Sequence, residues 1–110
     1  NYKEDIFMSA TALTSKERAY LRSLANTLDP IFQFGKGGIS DNFIKQIDDA
    51  LEARELIKIT LLENADAAPK EVAALLCEKA HCQSVQIIGR RIVLYRMARD
   101  KDKRKIALPR

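Results

Sequence analysis

The sequence predicts an α/β fold: a compact α-β-α-β-α-β-β domain with a four-stranded mixed sheet. Short apolar runs rich in β-branched and aromatic residues, at 31–34, 56–62, 84–88 and 92–96, alternate with stretches of helical periodicity. The first two intervals between runs are long enough for right-handed crossovers holding a helix. The last two runs are separated only by Gly89-Arg90-Arg91, which makes them an antiparallel hairpin bent at glycine. A chain of 110 residues, 46% of them hydrophobic, suits one domain with a modest core.

Taken in order, the first helix starts at Thr14, which can cap it, with Glu17 three residues on completing a capping box. Leu21, Leu24, Ala25 and Leu28 form its buried stripe, while Lys16, Arg18 and Arg22 lie off that stripe on what could be a solvated face. Asp29-Pro30 ends the helix, because the residue before proline avoids α geometry. Ser40 is the expected cap of a second helix over 41–54, with Ile39 and Ile44 as its hydrophobic staple. Asp48, Asp49, Glu52 and Glu55 gather towards its end and read as a solvated face, since no pocket or catalytic partner accompanies them. The β-branched run at 56–62 is expected at the centre of the sheet. Pro69 suits the first turn of a third helix, whose apolar face is Val72, Ala73, Leu76 and Ala80.

Between the first strand and the second helix lies Gly35-Lys36-Gly37-Gly38. Glycine permits positive φ and close backbone approach, and the amides opening the next helix attract anions. Lys36 would add a full positive charge. Neither a P-loop nor a dinucleotide fingerprint is matched. A Gly-x-x-Gly of this kind serves some RNA-binding modules as a clamp on the backbone, and it can equally serve chain reversal alone.

Charge points the same way. From Ile88 onward nine basic residues face two acidic ones, a net of +7, whereas the remainder carries −3. That asymmetry suggests a polyanion partner. No apolar run approaches the ~20 residues that cross a bilayer, and the basic residues do not interleave with a broad apolar face, so nucleic acid is favoured over a membrane partner, which is not expected. No DNA partner is expected either. Cys77 and Cys82 read as reduced thiols and suggest a cytoplasmic protein. With His81 the only histidine and no third cysteine, a structural metal is rejected. No nucleophile–base pair or cofactor loop is visible, so the protein is expected to be no enzyme and to need no cofactor. Met8-Ser9-Ala10 looks like a natural start, and residues 1–12 are expected to be an extension, in part non-native or disordered. A domain over 13–97 and a basic tail over 98–110 follow.

Together these pieces resemble the CRM domain, the chloroplast-RNA-splicing and ribosome-maturation module, and more closely its bacterial stand-alone YhbY form. The likeness rests on Leu13-Thr14 with the basic first helix, Pro30, Gly35-Lys36-Gly37-Gly38, Glu55-Leu56-Ile57-Lys58, Gln86-Ile87-Ile88-Gly89, Leu94-Tyr95-Arg96 and the terminal Arg104–Arg110. The resemblance implies a fold related to the C-terminal domain of a bacterial translation initiation factor. It implies RNA binding through the Gly-x-x-Gly loop and neighbouring basic surface, and association with rRNA in precursors of the large ribosomal subunit. The expected contacts are then Gly35, Lys36, Gly37 and Gly38, extended by Lys16, Arg18 and Arg22 if the first helix lies beside the loop, and by Arg90, Arg91 and Arg96 from the hairpin. Phe32, Phe34 and Tyr95 could stack on bases or belong to the core. A monomer is expected. The alternatives are a module docking on a ribosomal protein, or an RNA binder akin to the intron-splicing relatives.

Overall fold

The computed structural model describes residues 13–109, so the extension expected over residues 1–12 lies outside it. The element order is α1 (Ser15–Ala25), β1 (Phe32–Phe34), α2 (Asp41–Arg54), β2 (Leu56–Leu61), α3 (Pro69–Ala80), β3 (Gln83–Ile88) and β4 (Arg91–Tyr95). A short 3-10 turn, Lys101–Lys103, follows. The fold is the α/β arrangement expected, with one four-stranded sheet ordered β1-β2-β4-β3. β1 pairs parallel to β2; β4 pairs antiparallel to both β2 and β3, so the sheet is mixed and β2 is internal to it.

Local chemistry explains where the helices begin. Thr14 Oγ1 accepts the Glu17 N–H at 3.0 Å, and Glu17 Oε1 accepts the Thr14 N–H at 2.8 Å. Ser40 Oγ accepts the Phe43 N–H at 3.0 Å, and Pro69 opens α3. Each arrangement satisfies or removes donors that a helix start leaves unpaired.

Strand alternation then divides the core in two. Phe34, Ile57, Ile59, Leu61, Ile92 and Leu94 face α2 and α3. Leu56, Val85, Val93 and Tyr95 face α1. Phe43 meets Phe34 with ring centroids 5.3 Å apart and Phe32 edge-on at 6.4 Å. Tyr95 is 5% exposed beneath α1, and burial first, then the Glu55 carboxylate, push its phenol up to about 12. Phe34 and Tyr95 are therefore core residues, and the option of stacking them on bases is withdrawn.

One expectation about charge needs correction. The acidic end of α2 is not a solvated face. Asp48 and Glu52 pair with Arg96, Asp48 also takes Arg99 at 3.0 Å, and Glu55 is fully buried. The basic segment after β4 is laid along the domain and held there. Glu55 Oε2 accepts the Ala98 N–H at 2.8 Å, and its Oε1 accepts those of Lys105 and Ile106 at 2.6 and 3.0 Å. Glu52 accepts the Arg99 and Asp100 N–H groups at 2.8 and 3.0 Å. Ile106 and Leu108 then pack with Leu13, Leu24 and Leu28 on the α1 side.

Candidate nucleic-acid interface

Because β1 and β2 are parallel, the connections leaving both strands emerge at one end of the sheet. The β3–β4 turn lies there too, since Arg91 pairs with Thr60 and Ile88 with Arg91. Four hydrogen bonds tie this end together. The Leu62 N–H donates to the Phe34 carbonyl at 2.8 Å, and the Leu61 N–H donates to the Arg90 carbonyl. Arg90 reaches back with Nε to the Leu61 carbonyl at 3.1 Å, and its guanidinium also donates to that of Leu62 at 2.7 Å.

The glycine loop is built on this frame. Gly37 and Gly38 have φ of +108° and +77°, and a Cβ at either would meet nothing within 4 Å. Glycine is required there by backbone geometry, and the space above both residues is open. Gly35 has the other reason for being glycine. A Cβ there would stand 3.0 Å from Asn64 Oδ1 and 3.2 Å from Leu62 Cδ1, in the connection after β2. Lys36 is exposed between them and has no internal partner among the described residues. The amide-rich starts of α2 and α3 open from the same end, α3 without a side-chain cap. This end of the sheet thus carries exposed Lys36, Arg90 of the hairpin turn, Arg91 at the start of β4, and backbone that an anion could approach closely.

The other expected contacts lie elsewhere. α1 rests on Leu56, Val85, Val93 and Tyr95, towards the opposite end of the sheet, so its cations do not adjoin the glycine loop. Arg18 is turned inward, its guanidinium donating to the Ser84 and Val85 carbonyls at the start of β3. Lys16 and Arg22 are exposed on α1.

Arg96 is a correction. It is only 6% exposed, past the end of β4, and donates to Asp48, Glu52 and the Ala80 carbonyl. A guanidinium with that many internal acceptors, and no exposed face, is a structural strut and no contact for a ligand. Arg91, by contrast, belongs to β4, is exposed, and makes no side-chain hydrogen bond or ion pair among the described residues.

No helix of the described residues is long and apolar enough to cross a membrane. Cys77 and Cys82 are free thiols; the hydrogen bond between them, and then burial, hold Cys82 well above the ordinary thiol value, while the same hydrogen bond draws Cys77 below it against the effect of burial.

Residues 13–96 match the CRS1 / YhbY (CRM) domain family. The chain is 50% identical over 97 residues to the probable RNA-binding protein YqeI of Bacillus subtilis, covering 88% of this chain and 99% of that one. It is 33% identical over 101 residues to an RNA-binding protein of Haemophilus influenzae, covering 91% of this chain and 98% of the other. The solution structure of a Staphylococcus aureus protein superposes with a TM-score of 0.71 at 52% identity, over 88% of this chain and 99% of that one.

Proposed function

The chain belongs to the CRS1 / YhbY (CRM) domain family, and on that footing we propose that it is a non-catalytic RNA-binding protein of the cytoplasm. Its target in this reading is rRNA within precursors of the large ribosomal subunit, whose assembly it assists as a monomer. The observation that carries the proposal is the convergence of Gly35-Lys36-Gly37-Gly38 with Arg90 and Arg91 at one end of the sheet. Gly37 and Gly38 leave room for an RNA backbone to lie against the loop, and Lys36 contacts a phosphate from beside it. Gly35 keeps the loop pressed onto the β2–α3 connection. Exposed Lys16 and Arg22 form a second, more distant positive surface that adds to affinity without reading sequence. The relatives named as RNA-binding proteins support this class of partner.

Sedimentation of cell extract through density gradients at two salt concentrations tests the assignment, with the Lys36→Glu variant run in parallel. The expected result is co-migration with large-subunit precursors that weakens with salt, and a loss of about tenfold in affinity for the charge-reversed protein. Unchanged association of Lys36→Glu would favour docking on a ribosomal protein. Migration as a small free protein at both salts would remove the ribosomal target.

A further inference from the structure

None of the four strands, FQF, LIKITL, QSVQII and RIVLY, contains an aspartate or glutamate. On the face turned towards α1, that helix buries Leu56, Val85, Val93 and Tyr95, and among the described residues it leaves the loop end of the sheet uncovered. The register lines up what remains. Gln33 opposes Thr60, Thr60 opposes Arg91, and Arg91 opposes Ile88, so the four side chains form one row across all four strands on a single face. One step behind them Lys58 and Gln86 flank Val93 in the same way. Gln33, Arg91 and Ile88 are exposed, and Ile88, at 59%, is the most exposed large apolar side chain among the described residues.

We propose that this open row is a platform for single-stranded RNA, continuous with the glycine loop; the inference rests on the RNA-binding reading above. Its occupant follows from chemistry. Of the strand residues on this face only Lys58 and Arg91 are charged, both positively, which suits a polyanion. Arg91 offers a planar cation on which a base can stack, and Ile88 beside it offers bare apolar surface. Gln33, Thr60 and Gln86 supply donors and acceptors for ribose hydroxyls and base edges. Four strands at about 4.8 Å spacing make the row roughly 14 Å wide, a span over which four-stranded sheets elsewhere accept two or three bases. Bases must leave their own stack to lie there, so duplex is disfavoured.

The test is an amide-resolved NMR titration of the whole chain with a ten-nucleotide mixed-sequence single strand, and separately with an RNA duplex of equal length. Expected are shifts at Gln33, Thr60, Ile88 and Arg91 together with Gly37 and Gly38, for the single strand and not the duplex. The double variant Arg91→Gln, Ile88→Ser should bind the single strand about tenfold more weakly while its remaining amide spectrum stays in place. Shifts confined to the loop would overturn the platform and leave the RNA-binding reading standing. Shifts in the row that grow with protein concentration alone would assign the face to a second copy of the chain, and also overturn it. No shift anywhere with either RNA would remove both.

Discussion

Replacing Glu55 with alanine should cost about 3 kcal/mol and release the C-terminal segment. The carboxylate is fully buried and collects three backbone N–H groups, from Ala98, Lys105 and Ile106. An unsatisfied buried N–H costs about 1–3 kcal/mol, and the lower end applies because the released segment can turn its amides to water. Three amides at about 1 kcal/mol each give the total. For a domain of this size that is a fall of about 15 °C in Tm. Glu55 also sits at φ +66°, an unfavourable position for a side chain. Glu55→Gly removes the same acceptor but relieves that strain, so it should cost about 1 kcal/mol less than alanine. Thermal melts give the magnitudes, and amide hydrogen exchange at Ala98, Lys105 and Ile106 reports the release directly. If Glu55→Ala melts within about 2 °C of the parent with those amides still protected, the carboxylate is not what holds the segment.

Other perturbations separate the remaining arguments. Gly38→Ala, at φ +77°, should lower stability by about 1 kcal/mol in urea melts even though its Cβ meets nothing, because the cost lies in the backbone. Asp48 is pushed up by burial but drawn further down by its hydrogen bonds and charge pairing with Arg96 and Arg99, so it ends below its ordinary 3.8; Glu52 is drawn below 4.5 chiefly by the Arg99 and Asp100 N–H groups. Carboxyls depressed in the folded state contribute stability above their unfolded values and lose it as pH falls through the folded ones. Asp48→Asn should therefore be less stable than the parent at neutral pH, and in urea melts the difference should shrink as pH falls below the ordinary 3.8 and through the lowered folded value. Iodoacetamide should label Cys77 in the native protein and Cys82 only after unfolding, since Cys82 is 1% exposed and Cys77 has the more acidic thiol; mass spectrometry of the labelled peptides decides it.

What was legible in the sequence is what a few neighbouring residues decide. The Thr14–Glu17 capping box, the Ser40 cap and Pro69 each act within one helical turn, and all stand where the residues placed them. Positive φ leaves its own mark, so Gly37, Gly38 and Gly89 announce the loop and the hairpin bend. The hairpin slipped by one residue because its bend needs only Gly89 and Arg90. That brings Arg91 into β4 and leaves Arg96 beyond its end.

The partners of the acidic run on α2 could not be read this way, because they lie more than forty residues further along the chain. Read alone, that run resembles a solvated face, and the basic run after β4 resembles a tail waiting for RNA. In the fold the two runs meet, and two of the nine cations, Arg96 and Arg99, pair with the acids. Asp48 and Glu52 take the side chains of Arg96 and Arg99, and Glu52 and Glu55 take the backbone between them and Ile106. The +7 of the C-terminal stretch therefore overstates the charge it can offer a polyanion. Lys36, Arg90 and Arg91 have no such carboxylate among the described residues, although they contribute only three charges. A polyanion is drawn by charge that the fold has not already neutralised. On the reading proposed above, this puts the glycine loop and the rungs beside it ahead of Arg96 and Arg99 as the surface offered to RNA.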